Sequence, residues 1–130
     1  MPKTTTPPAY HCGLVAALDV IGGKWKVLII WPLHPEAKRF GELRRAVPGV
    51  SEKMLTQQLK ELEADGIVAR KDFKEIPPRV EYSLTAFGVS LKEALTPLCL
   101  WGGKHMERIG ATVKPGGPAT RRRRGAANTE

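Results

Sequence analysis

The sequence predicts a mainly helical domain with one small β-hairpin, an α+β fold. Three observations predict it. From Arg39 to Asp65, apolar residues recur at helical spacing on both sides of a Pro48-Gly49 break. From Ile67 to Leu84, two short strand-like runs flank a loop rich in charge and proline. From Thr85 onward, Phe87, Leu91, Ala94, Leu98 and Trp101 fall at i, i+4, i+7, i+11 and i+14, the stripe of one long helix.

At 130 residues the chain fits one domain with flexible ends. Residues 1–11 are rich in Thr and Pro and read as an arm. The folded domain is expected over 12–109, and 110–130 as a disordered, Arg-rich tail. A helix starts at Gly13, with Leu14, Leu18 and Ile21 on one face, and stops at Gly22-Gly23. Residues Lys24 to Trp31 are apolar almost all round after their lysines, which places them centrally in the core. Helix is the preferred reading for them; a buried strand is its rival, because Val27 to Ile30 is rich in β-branched residues. Pro32 and Pro35 end that element early.

Next come two short helices joined by a tight turn. Phe40, Leu43 and Val47 share a face of the first. Ser51 suits the N-cap of the second, whose buried stripe is Leu55, Leu59 and Leu62 and whose end falls near Gly66. This is the pattern of a helix-turn-helix. The hairpin of Ile67–Lys71 and Arg79–Leu84 then makes a wing, with Val80, Tyr82 and Leu84 on one face. Thr85 can cap the last helix, Pro97 should kink it, and Gly102-Gly103 should end or loosen it.

If the leucines of the second helix face inward, Ser51, Lys53, Thr56, Gln57 and Lys60 face outward. These are donors and acceptors of the kind that read base edges and grip phosphates. Gln57 can pair with adenine, and Lys53 can reach guanine or a phosphate. Arg44 and Arg45 close the preceding helix and suit phosphate contacts; an ordinary solvated face is the competing reading. In the wing, Lys71, Lys74 and Arg79 are candidates for double-stranded DNA, although Arg79 can equally hold Glu75 or Glu81 across the hairpin.

The formal charge is +8, and residues 111–130, which include Arg121–Arg124, hold half of it. The body is therefore basic without its tail, which favours a polyanionic partner. No apolar run approaches a membrane span, and MPKTTTPPAYHCG lacks the apolar core of a signal peptide, so a cytoplasmic, nucleoid-associated protein is expected. Two cysteines are too few for a disulfide scaffold. His11, His34 and His105 show no metal-ligand spacing, and Gly22-Gly23-Lys24 is not a phosphate loop. No nucleophile–base set is visible, so neither an enzyme nor a cofactor is expected. Cys12 falls at a helix start beside His11, where a thiolate is favoured; an unreactive cysteine at a dimer contact is the alternative. Cys99 reads as a small core residue. Trp25, Trp31, Trp101, Phe87 and Tyr82 belong to core or interface, or line a pocket for a planar effector.

The segments CGLVAALDVIGGKW, RFGELRRAVPGVSEKMLTQQLKELEADGIV and IPPRVEYSLTAFGVSL, in that order and spacing, resemble the HxlR-type winged helix-turn-helix regulators, which are related to MarR-like regulators. The resemblance covers roughly residues 12–102. It implies a bacterial homodimeric transcription regulator; a two-fold dimer is expected on an inverted-repeat operator, and repressor is the default because nothing in the sequence suggests a polymerase-contacting domain. It also implies a dimer interface on the first and last helices, with Leu14, Leu18, Phe87, Leu91, Leu98 and Trp101 as its candidates. The wing is expected on the minor groove or backbone. Members often respond to electrophiles or oxidants through a cysteine before the first helix, the position Cys12 holds. The run Trp31-Pro32-Leu33-His34-Pro35 and the Arg-rich tail depart from the family pattern. The rival reading is a non-specific nucleoid-type DNA binder driven by the basic body and tail.

Overall fold

The computed structural model describes residues 7–113. In chain order it contains α1 (Gly13–Ile21), α2 (Trp25–Ile30) with a following 3-10 turn (Trp31–Leu33), α3 (Phe40–Ala46), α4 (Glu52–Ala64), β1 (Val68–Asp72), β2 (Val80–Leu84) and α5 (Ala86–Ile109). The Arg121–Arg124 run, the rest of the tail from residue 114 and the first residues of the arm lie outside the described residues.

The predicted leucine stripe becomes the centre of the core. Leu55 and Leu62 of α4 are fully buried and Leu59 nearly so; they meet Ile29 and Ile30 of α2, Leu43 of α3, and Ile67 and Val68. Each such side chain adds roughly 1.5–3 kcal/mol by leaving water. Residues 25–30 are helical, not extended. Pro32, without an N–H, cannot continue the α ladder, so the chain tightens into the 3-10 turn that buries Leu33.

β1 and β2 pair antiparallel, with Val68 opposite Leu84 and Asp72 opposite Val80. The other edge of β2 is also occupied. Lys38, just before α3, exchanges two backbone hydrogen bonds with Tyr82, each 2.8 Å long. That single bridge ties the start of the helix-turn-helix to the wing.

Thr85 caps α5 as expected: its hydroxyl accepts from the Gly88 N–H at 2.9 Å and donates to the Gly66 carbonyl. The helix does not stop or loosen at Gly102-Gly103. It passes both glycines and Pro97 and ends at Gly110, whose φ of +71° permits the left-handed cap.

Two stripes divide differently from their sequence pattern. In α1, Ile21 is buried, whereas Leu14 and Leu18 are 66% and 52% exposed. In α5, Leu91 departs from the expected interface set: it packs, half-buried, against the domain's own core. The buried anchor of the same helix is Leu95. A heptad repeat drifts around a 3.6-residue helix, so residues of one seven-residue stripe need not share a partner. Phe87, Leu98 and Trp101 stay 64%, 54% and 63% exposed.

Candidate nucleic-acid interface

The turn between α3 and α4 is built by a few local contacts. The Glu42 carboxylate accepts from the Arg39 N–H at 2.8 Å and so caps α3. Gly49 has φ +90°, a conformation that disfavours any other residue in the Pro48-Gly49 turn. Val50 is buried, and the Ser51 hydroxyl accepts from the Met54 N–H at 3.0 Å, starting α4. These contacts fix where α4 points.

With Leu55, Leu59 and Leu62 turned inward, Lys53, Thr56, Gln57 and Lys60 are exposed along the opposite side of α4. Ser51 is exposed at its start; as a cap it uses an oxygen lone pair, which leaves its O–H free to donate. Arg45 is exposed on α3. Arg44, half-exposed, lies 3.4 Å from Glu52 across the turn. The structure thus exposes all seven of these sequence candidates, with Lys53, Thr56, Gln57 and Lys60 sharing one side of α4 and Arg44 tied to its start through Glu52.

The wing presents Lys71 and Lys74 as exposed cations. Lys74 sits at φ +57° in the loop, and its N–H donates to Asp72 at 2.9 Å. Arg79 is used differently. Its guanidinium lies 3.3 Å from Glu75 and 3.8 Å from Glu81, and stacks 3.6 Å from the centroid of Phe73. Lys71 covers the same ring at 4.6 Å. Arg79 is thus the internal brace of the wing, as its competing sequence reading had it. At the tip, Ile76 is 99% exposed.

Sequence reasoning missed one partner on α4. Glu61 accepts hydrogen bonds from Lys26 of α2 and from Gln57 Nε2, the latter at 3.3 Å. The i, i+4 spacing of Gln57 and Glu61 was a usable signal; the Lys26 contact, 35 residues away, had none in the sequence. Those donors, Lys26 first, hold the Glu61 carboxyl below its ordinary value of 4.5. Glu61 therefore contributes stability above that ordinary value, and loses it as pH falls through the lowered folded-state value. Glu61→Gln should melt below wild type at about pH 7, with the gap narrowing as pH falls below the ordinary carboxylate value. Melting curves across that range check this, and a constant gap would remove the carboxylate charge as its cause.

Cys12 is exposed and is the N-cap residue of α1, with Leu14, Val15 and Leu18 exposed on the helix it starts. Cys99 is half-buried on α5. Tyr10 donates to Asp19 at 2.7 Å and pins the chain before Cys12 against α1. Among the described residues, no helix is long and apolar enough to cross a membrane.

A helix-turn-helix whose second helix leads directly into a two-stranded hairpin defines the winged-helix class of DNA-binding domains. Within that class the chain belongs to the HxlR-like helix-turn-helix family, whose model matches residues 20–110. It is 48% identical over 100 residues to the HTH-type transcriptional regulator YtcD of Bacillus subtilis (strain 168), which spans 77% of this chain and 79% of that one. Among solved structures, the redox regulator HypR in its reduced form superposes with a TM-score of 0.71 at 43% identity, covering 76% of this chain and 98% of that one. Its oxidized form gives 0.66 at 47% identity, covering 72% and 96%. The chain is thus a transcriptional regulator of the helix-turn-helix type, related to regulators rather than to enzymes.

Proposed function

We propose that this protein is a homodimeric, sequence-specific repressor that binds an inverted-repeat operator in the cytoplasm, on nucleoid DNA. The observation that carries the reading is the surface of α4, where Lys53, Thr56, Gln57 and Lys60 stand exposed opposite a fully buried leucine stripe. Such a helix can enter a major groove while the core holds it rigid. Gln57 and Lys53 supply base-reading groups; Lys60, Arg44, Arg45 and the Ser51 hydroxyl suit phosphates. Lys71 and Lys74 reach the flanking backbone or minor groove, and Arg79 serves by bracing the wing that carries them.

The dimer reading is supported by the uncovered apolar side chains Leu14 and Leu18 of α1 and Phe87, Leu98 and Trp101 of α5. A two-fold pair asks for a near-palindrome with half-sites about one helical turn, ~34 Å, apart. Repression is the mode that needs occupancy alone. Control enters at the dimer helices, through thiol chemistry at the exposed Cys12 or a small planar effector beside the α5 aromatics. The similarity to a redox regulator supports the thiol route. A small rotation of those helices changes the distance between the two copies of α4.

Selection from a random DNA pool tests this, with the full chain and with residues 1–110, at physiological salt. An enriched palindrome from both is the expected result. No enrichment, with binding lost on removing the tail, would instead establish a non-specific binder driven by basic charge. On the selected site, oxidant should release wild type but not Cys12→Ser; equal release of both would move control away from Cys12.

A further inference from the structure

Beside the exposed cations and amides of α4 lies the Glu61 carboxylate, and the structure gives each of its oxygens a partner. One accepts from Lys26 Nζ, on a side chain only 12% exposed that rises from the core helix α2. The other accepts from Gln57 Nε2, one turn earlier on α4. We propose that Glu61, held from behind by Lys26, is a positioning residue that presents the Gln57 amide to the base edge in one orientation, and so sets a preference for adenine where Gln57 reads. The inference rests on the reading of α4 as the major-groove helix.

The chemistry leaves little freedom. An ionised carboxylate only accepts, so the side of the Gln57 amide that faces Glu61 must be its NH2. A free glutamine amide can turn over and exchange donor for acceptor; this one is keyed. With one N–H spent on Glu61, the amide keeps one N–H and its carbonyl oxygen for a ligand. Adenine offers the complementary pair in the major groove, N7 to accept and the N6 amino group to donate.

Lys26 has a second task. A lone carboxylate on a DNA-facing helix would repel phosphates and swing away from Gln57. The Lys26 ammonium neutralises it and fixes it against α2, which also contributes the fully buried Ile29 and Ile30 to the core. The orientation of the reading group is thereby referred to the body of the domain and not to α4 alone.

The test uses the full chain and random-pool selection, followed by competition binding with single-base variants of the selected site. Gln57→Ala first identifies the position that Gln57 reads. Glu61→Ala should keep the palindrome and its spacing, yet lose base preference at that same position, from about 10-fold or more, the range of a bidentate contact, to about 2-fold. Glu61→Gln, whose single oxygen is claimed by Lys26 and whose other end is an NH2 donor, no longer accepts from Gln57 and should lose the preference as Glu61→Ala does. Lys26→Met should lower it and also weaken binding to all sites. The double variant Glu61→Ala/Gln57→Ala should match Gln57→Ala at that position. A Glu61→Ala profile identical to wild type, where Gln57→Ala differs from it, overturns the positioning role and leaves the major-groove reading intact. No selected motif from wild type, or none altered by Gln57→Ala, overturns the base-reading role itself. Should Glu61→Ala fail to fold, an unchanged profile for Lys26→Met overturns the proposal.

Discussion

Replacing Leu18 and Trp101 together with aspartate is expected to make the protein monomeric and to lower its affinity for a two-half-site operator about 100-fold or more. The affinity of one wing-and-helix unit for one half-site should hardly change. The reason is where these side chains sit. Leu18 is 52% and Trp101 63% exposed, and neither belongs to the core around Leu55 and Leu62. Within one copy, substitutions at such positions cost little, within roughly 0.5 kcal/mol. Between copies they would place four carboxylates in an apolar seam, and the cost of burying each unpaired charge is several kcal/mol. The gain lost is one of tethering: without the partner, the second half-site no longer binds at high effective concentration. Sedimentation equilibrium and titration of duplexes with one or two half-sites check both parts. A variant that stays dimeric would remove α1 and α5 as the interface. Equal loss on both duplexes would mean that these residues act inside the DNA-binding unit.

Gly88→Ala should be the most damaging small substitution in the domain. In most helices exchanging glycine for alanine helps, by up to about 1 kcal/mol. At this position α5 presses on the start of β1. A methyl on residue 88 would overlap the Ile67 carbonyl oxygen and come within 3.1 Å of its carbon and 3.3 Å of its Cγ2. Backbone cannot rotate aside as a side chain can. The same carbonyl accepts from the Thr85 N–H at 3.0 Å, so moving it also strains the cap of α5. A loss of about 3 kcal/mol is expected, at the upper end of overpacking costs. For a domain this size that lowers Tm by roughly 10–20 °C. Thermal unfolding of Gly88→Ala beside Gly103→Ala is the measurement, since residue 103 has open space around it and should show no such loss. Equal melting of the two would show that the contact at residue 88 relaxes freely.

The helix-turn-helix was legible because its signals agree. Leu55, Leu59 and Leu62 give the period, Ser51 the cap, and Pro48-Gly49 the break, and all of them are met in the structure. The wing was legible from the alternation of Val80, Tyr82 and Leu84, to within one residue at each strand. The course of α5 was not. Pro97 removes a donor for the carbonyl of Glu93, but both residues are exposed, so water can take its place. A local breaker is then tolerated by a helix anchored at Leu95 and capped at both ends. The division of α1 was hidden too, because periodicity shows that Leu14, Leu18 and Ile21 share a face but not whether a neighbour lies inside the same chain. At the site, the outward set on α4 followed from the inward one. The role of Arg79 did not, since a cation beside two carboxylates and a phenylalanine reads equally as brace or as DNA contact. Only the stacking on Phe73 and the ion pairs with Glu75 and Glu81 give it a structural role.

The Lys38–Tyr82 bridge also bears on solubility. It covers the outer edge of β2 at Tyr82, whereas among the described residues the outer edge of β1 pairs with no strand or bridge. An open strand edge is a template for adding further strands from other copies. β1 carries Arg70, Lys71 and Asp72 in sequence, all exposed, so a second copy laid in parallel register would set like charges against each other. The charges of β1 therefore guard the fold against strand-by-strand aggregation. Neutralising Arg70 and Lys71 would expose that edge even in a domain whose core is intact.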